Sequence, residues 1–206
     1  MRVAIDDEVI EIKTVDADEL IYMEIDLPIY ATNDKENYWY KYLECNDELY
    51  IKYNLCRENG EISIKDKIDK SIKFIEDNSI NKVTVDLRNN SGGDSTLIEP
   101  LIEYIKKNEK INTKENLKVI IGRETFSSAL LNAYEFKFQT NAKIIGEPSG
   151  GKPNCYGEIL RFTLPNSKFL ISYSTKYYKL IEDDTVMALY PDELILESIT
   201  DYSNKK

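Results

Sequence analysis

The stretch KVTVDLRNNSGGDS, residues 82–95, runs from a β-branched apolar segment straight into a polar loop holding two adjacent glycines. A short continuous apolar run bounded by such a loop reads as a strand buried on both faces. Two more follow the same plan: LKVIIG (117–122) and KIIGE (143–147). Between the first and second, residues 95–107 place Leu97, Ile98, Leu101, Ile102 and Ile105 on one stripe of a helix. Between the second and third, Thr125-Phe126-Ser127 opens a further helix that runs to about Phe138. Upstream, KDKIDKSIKFIED (65–77) sets Ile68, Ile72 and Ile75 at helical spacing. Strands alternating with helices predict an α/β fold around a mostly parallel sheet.

Further out, the pattern changes to antiparallel. NYWYKYLECNDELYIKYNLCRENG predicts two strands, roughly 38–44 and 48–56, about an Asn46-Asp47 turn. EILRFTL and KFLISYS flank Pro165-Asn166 as a hairpin, and VIEIKTV and LIYMEIDLPIY near the start also read as strands. TNDKEN (32–37) is a polar turn or linker. The division expected is an N-terminal β segment, 1–36, a remnant of a longer region, then a core over 37–206. One domain of 206 residues is long enough to bury its own core.

Composition narrows the chemistry. A net charge of −10 argues against nucleic acid or an anionic membrane as the partner. No run of about 18 apolar residues predicts a membrane span. No basic-then-apolar leader precedes the first strand, so the chain as written is expected in the cytoplasm, or outside it if cut from a longer precursor. Cys45, Cys56 and Cys155 are too few and too scattered for a disulfide framework or a paired metal site. The sequence has no histidine at all, which excludes a Ser–His–Asp triad and a His-ligated metal. Acid–base work is left to carboxylates, Lys, Tyr or Cys.

Three loops follow the three buried strands: RNNSGG, GRETFSSA and GEPSGGK. Functional loops gather at the carboxyl ends of parallel strands. Gly92-Gly93 serves either as a tight turn or as exposed backbone donors for an oxyanion. G-x-G-x-x-G is absent and the GGK of the third loop runs into Pro153, so neither a dinucleotide nor a P-loop fingerprint is present. Ser127 reads locally as a helix N-cap, and alternatively as a nucleophile at the positive end of a helix. Lys152, framed by Gly151 and Pro153, reads as a surface charge or as a base.

These loops resemble the tail-specific, or C-terminal processing, proteases: serine–lysine peptidases with a ClpP/crotonase-like core. The resemblance rests on VTVDLRNNSGG (83–93), TFSSALLNA (125–133), KIIGEPSGGK (143–152) and YPDELI (190–195), in that order, with Ser127 lying 152 − 127 = 25 positions before Lys152. It implies Ser127 as nucleophile and Lys152 as general base. It also implies an oxyanion hole built from the N–H of Ser128 and one of Gly92 or Gly93. It implies a peptide or protein substrate and no cofactor or metal. A lysine acts as a base only when unprotonated, so such a site must favour the neutral amine. Three positions depart from the family pattern. Leu130 stands where many members carry Glu, Tyr156 where many carry a Gln that orients the lysine, and Cys155 where His is expected. Tyr156 and Cys155 are thereby candidates for orientation or substrate contact. No PDZ-like gating domain is apparent. A weak or inactive peptide-binding relative, and more remotely a crotonase-type acyl-CoA enzyme, are the alternatives.

Overall fold

The computed structural model describes residues 2–5, 8–11, 28–33 and 35–196. Contacts divide the chain into two units, residues 1–32 with 196–206, and residues 33–195. In the first, β1 (Arg2–Ile5) and β2 (Glu8–Glu11) pair antiparallel. Residues 12–27 of the two predicted N-terminal strands lie outside the described residues. Ile29–Ala31 is a 3-10 turn and not the strand the apolar pattern suggested. Pro28 in front of it has no N–H to donate to a ladder.

The second unit is built on a six-stranded sheet. Its strands are β3 (Tyr38–Leu43), β4 (Glu48–Tyr53), β5 (Lys82–Asp86), β6 (Leu117–Ile121), β7 (Lys143–Gly146) and, much later, β10 (Glu193–Leu194). The spatial order is β10-β7-β6-β5-β4-β3, and only β3 runs antiparallel to its neighbour. The β3–β4 turn carries Asp47 in the left-handed region (φ 49°), a conformation that a short Asx side chain tolerates.

Each step from β4 to β7 moves one place in the same direction. Right-handed crossovers then put all connecting helices on one face. These are α1 (Ile64–Asp77), α2 (Glu99–Lys107) and α3 (Ser128–Gln139), and α1 touches α2 as α2 touches α3. Ser63 caps α1 by accepting from the Asp66 N–H. The predicted helix at 95–107 is two pieces, a 3-10 turn at Ser95–Ile98 capped by Asp94 and then α2, because Pro100 sits in the first turn of the α-helix. Ile64, Ile68 and Ile75 of α1 and Leu101, Ile102 and Ile105 of α2 are buried against Val83, Val85, Leu117, Val119 and Ile121 of the sheet. Beyond β7 the chain forms a separate antiparallel ribbon, β8 (Cys155–Thr163) with β9 (Leu170–Tyr178). The fold is mixed α/β, mostly parallel, with antiparallel additions.

Candidate active site

The first loop leaves β5 from a buried ionic anchor. Asp86 and its neighbour Lys52 on β4 have fully buried side chains, 3.1 Å apart as an ion pair. Tyr50 Oη donates to Asp86, the Arg88 Nε donates to the same carboxylate at 2.9 Å, and Lys52 Nζ also donates to Asn89 Oδ1 at 2.8 Å. Burial holds the Lys52 amine below its ordinary range, against the opposing pull of Asp86. Asn89 extends the network to Glu124, three residues ahead of Ser127 (3.1 Å). Sequence reasoning missed Lys52. Its signal was a charge between Ile51 and Tyr53 in the mostly apolar LYIKY, which a buried strand tolerates only when paired.

Asn90 is buried and shapes the glycines. Its Nδ2 donates to the Tyr53 carbonyl (2.9 Å), and its Oδ1 accepts the Gly92 N–H (2.9 Å) and the Cys56 thiol (3.4 Å). Gly92 (φ 106°) and Gly93 (φ 137°) both lie in the region glycine favours. A Cβ on Gly93 would fall 1.9 Å from the Cys56 carbonyl oxygen, and one on Gly92 would meet Ser127 Cβ at 2.7 Å and Ser128 N at 2.9 Å. Neither site can hold a side chain. The Gly92 N–H is already committed to Asn90. The Gly93 N–H has no acceptor among the described residues.

The second loop carries Ser127 to the start of α3. Thr125 locks it from below, donating to the Leu87 carbonyl (2.8 Å) and accepting the Gly122 N–H (3.0 Å). Phe126 N donates to the Asn90 carbonyl at 3.1 Å, tying this loop to the first. Ser127 occupies the N-cap position, yet its side chain makes no capping bond. Its backbone sits at φ 51°, ψ −126°, sparsely populated for a residue with a Cβ and costing of order 1–3 kcal/mol. The side chain is exposed. Next to it, the Ser128 N–H, first in the helix, has no acceptor among the described residues, while Ser128 Oγ donates to the Gly93 carbonyl at 2.5 Å. The helix therefore starts one residue after Ser127 and presents its positive end beside an uncommitted hydroxyl.

The third loop closes against the second. Gly150 N donates to the Thr125 carbonyl (3.1 Å), and a Cβ on Gly151 would strike the Phe126 ring at 2.8 Å. Arg123 and Glu147 bridge the two loops at 2.8 Å. Ser149 exchanges hydrogen bonds with Leu189, its N–H to the carbonyl at 3.1 Å and its Oγ accepting at 2.8 Å. Lys152 follows, exposed and without a hydrogen-bond or ion-pair partner among the described residues. Leu130 is buried, with its side chain against Gly151. Cys155 is half-buried and burial pushes its thiol up. Tyr156 is 72% exposed and stacks on Tyr177 at 4.9 Å across the ribbon. Gly92, Gly93, Ser127 and Ser128 are thus in direct contact. Lys152 stands on the adjoining loop, and Cys155 and Tyr156 form the root of the ribbon.

An exposed hydroxyl on a strained turn, flanked by two free amides and a helix N-terminus, suits attack on a carbonyl and stabilisation of the resulting oxyanion. The described residues contain no cluster of side chains fit to hold a metal ion.

No protein-family model matches the sequence, and no curated protein does. Solved structures do share the fold. A candidate peptidase from Parabacteroides merdae superposes with a TM-score of 0.61 at 14% identity, over 82% of this chain and 61% of that one. A candidate S41 protease from Bacteroides fragilis gives 0.51 at 15% identity, over 72% of this chain and 47% of its own. Mature CPAF gives 0.53 at 11% identity, over 77% and 48%. The chain therefore spans about half to three-fifths of the length of these proteins.

Proposed function

We propose that the chain carries the catalytic core of a serine peptidase that hydrolyses peptide or protein substrates through a Ser127–Lys152 dyad. The observation that carries this reading is Ser127 itself. It is exposed, uncapped, held in a left-handed conformation, and set between the free N–H groups of Gly93 and Ser128. The peptidases that share the fold support the reaction class. The absence of histidine leaves Lys152 as the cation on the adjoining loop able to serve as base.

In the reaction, neutral Lys152 takes the proton of Ser127 Oγ as the oxygen attacks the scissile carbonyl. The Gly93 and Ser128 amides receive the oxyanion. Lys152 then protonates the leaving amine as the scissile C–N bond breaks; water, deprotonated by the neutral Lys152 amine, attacks the acyl carbonyl, and Lys152 returns that proton to Ser127 Oγ as the ester bond breaks. No described helix is long and apolar enough to cross a membrane.

A fluorophosphonate probe and a quenched peptide library test the assignment together. Ser127→Ala is expected to abolish labelling and to lower cleavage by about 10⁴-fold or more, and Lys152→Ala and Lys152→Arg by a comparable factor. The melting temperatures should stay within a few degrees, since both side chains are exposed. Labelling that survives Ser127→Ala would move the nucleophile elsewhere. One observation favours a second reading, a peptide-binding relative without turnover: Lys152 has no orienting partner among the described residues, and Tyr156 is engaged with Tyr177 instead. Peptide binding without any labelling would select it.

A further inference from the structure

Lys152 has an exposed side chain, yet its backbone is fastened on both sides. Ahead of it, Gly151 is buried and its carbonyl accepts from Ser149 Oγ at 3.0 Å. Behind it, buried Pro153 fixes its own φ and drives the preceding residue towards an extended backbone. Asn154 comes next. It is only 8% exposed and makes every hydrogen bond an amide side chain can make. Its Oδ1 accepts the N–H groups of Leu180 (2.9 Å) and Ile181 (3.2 Å). Its Nδ2 donates to the Ile181 carbonyl (2.8 Å) and to Asp184 Oδ1 (2.7 Å). Two donors meet the oxygen and two acceptors meet the nitrogen, so the amide can turn only one way.

The segment that Asn154 grips is itself anchored. Leu180 and Ile181 pack against the hydrophobic core. Support therefore runs from the core through Leu180 and Ile181 to Asn154, and from Asn154 through Pro153 to Lys152. A lysine amine rides on a long flexible stem, so it is aimed only when its Cα is held. None of the four partners of Asn154 belongs to the three loops around Ser127. The plain alternative is a staple for the ribbon alone, because β8 starts at Cys155 and β9 ends at Tyr178.

We propose that Asn154 is the positioning residue of the catalytic base: it fixes the Lys152 loop on the core-anchored Leu180–Ile181 segment and so sets where the amine can reach. This rests on the Ser127–Lys152 reading above. It acts through Lys152 and touches no reacting atom. A staple for the ribbon alone would affect stability, whereas a positioning residue affects turnover in the folded protein.

Steady-state cleavage of a quenched peptide by the full chain, with urea midpoints to verify folding, tests this. Asn154→Ala is expected to lower kcat about 10–100-fold and to move KM by less than about twofold, because a misplaced base slows proton transfer and leaves binding alone. On the Lys152→Ala background the same change should alter the residual rate by less than about twofold, since nothing is left to place. Asn154→Asp sets a carboxylate against the Ile181 carbonyl and Asp184. Adding Asp184→Asn returns one donor and should raise kcat at least about fivefold over Asn154→Asp alone. A folded Asn154→Ala with kcat within about twofold of the parent overturns the proposal and leaves the dyad standing. So do a loss confined to KM, an equal loss without Lys152, and no gain from Asp184→Asn. A parent without turnover, or a Lys152→Ala variant as fast as the parent, overturns the dyad and the proposal together. Should Asn154→Ala fail to fold, Asp184→Ala decides, because it removes one bond of the four: kcat should fall several-fold at constant KM, and an unchanged kcat overturns the proposal.

Discussion

Ser127 shows how far a single residue can depart from what its neighbours in sequence predict. Serine before a helix is ordinarily a cap, and GRETFSSA alone gives no reason to think otherwise. The difference is made by contacts distant in sequence. Asn90 holds the Phe126 N–H, Thr125 is pinned to Leu87, and Gly92 leaves no room behind the Ser127 Cβ. Together they hold a backbone conformation that serine would leave if released. Ser127→Gly is therefore expected to remove activity and at the same time stabilise the fold by about 1 kcal/mol. On a chain of this size that is a rise of about 2–4 °C in melting temperature, measurable by calorimetry. A loss of stability of the same size would mean that the left-handed turn carries no strain.

At the scale of elements, β4 and β5 are joined by more than their ladder. Lys52 and Asp86 face each other at the register pair that ends it, and both are sealed from water. Removing one partner strands the other charge. Asp86→Ala should cost about 3–5 kcal/mol, read from urea midpoints, whereas Lys52→Met with Asp86→Leu should cost less than that single change. If the single change is nearly neutral, water must reach the Lys52 amine. The pair also marks the boundary of what the sequence discloses. The strands at 82–86, 117–121 and 143–146 and the three loops after them were legible, because β-branched runs and glycines are local signals. The Lys52–Asp86 anchor was not, because it joins residues 34 apart and neither is unusual alone. That the Gly92 N–H is bonded and the Gly93 N–H is left without an acceptor among the described residues likewise depends on where the Asn90 amide turns.

The whole molecule should respond to alkali through buried groups that take no part in the proposed chemical steps. Burial pushes the Cys56 thiol from 9.0 up to about 11. The folded state then holds its proton after the unfolded chain has lost it. Stability present below about pH 9 is lost between about pH 9 and 11, by at most about 2–3 kcal/mol for two pKa units. Buried Tyr38 and Tyr53 are raised as well and extend the loss to higher pH, while Lys52, lowered by burial, acts in the opposite sense. Comparing urea midpoints of the parent and Cys56→Ala from pH 8 to pH 11 isolates the thiol. The parent curve should fall more steeply, and parallel curves would show that Cys56 ionises as easily folded as unfolded.

The outer edge of β7 is covered by a strand of only two residues, β10, paired through Asp192 and Ile195 on either side. Its last residue is made 194 − 146 = 48 residues after β7 ends. At roughly 5–20 residues per second, a nascent chain carries that edge bare for about 2–10 s. The ribbon β8–β9 is synthesised inside the same interval. Until β10 emerges, the bare edge of β7 is a template on which any other strand can pair.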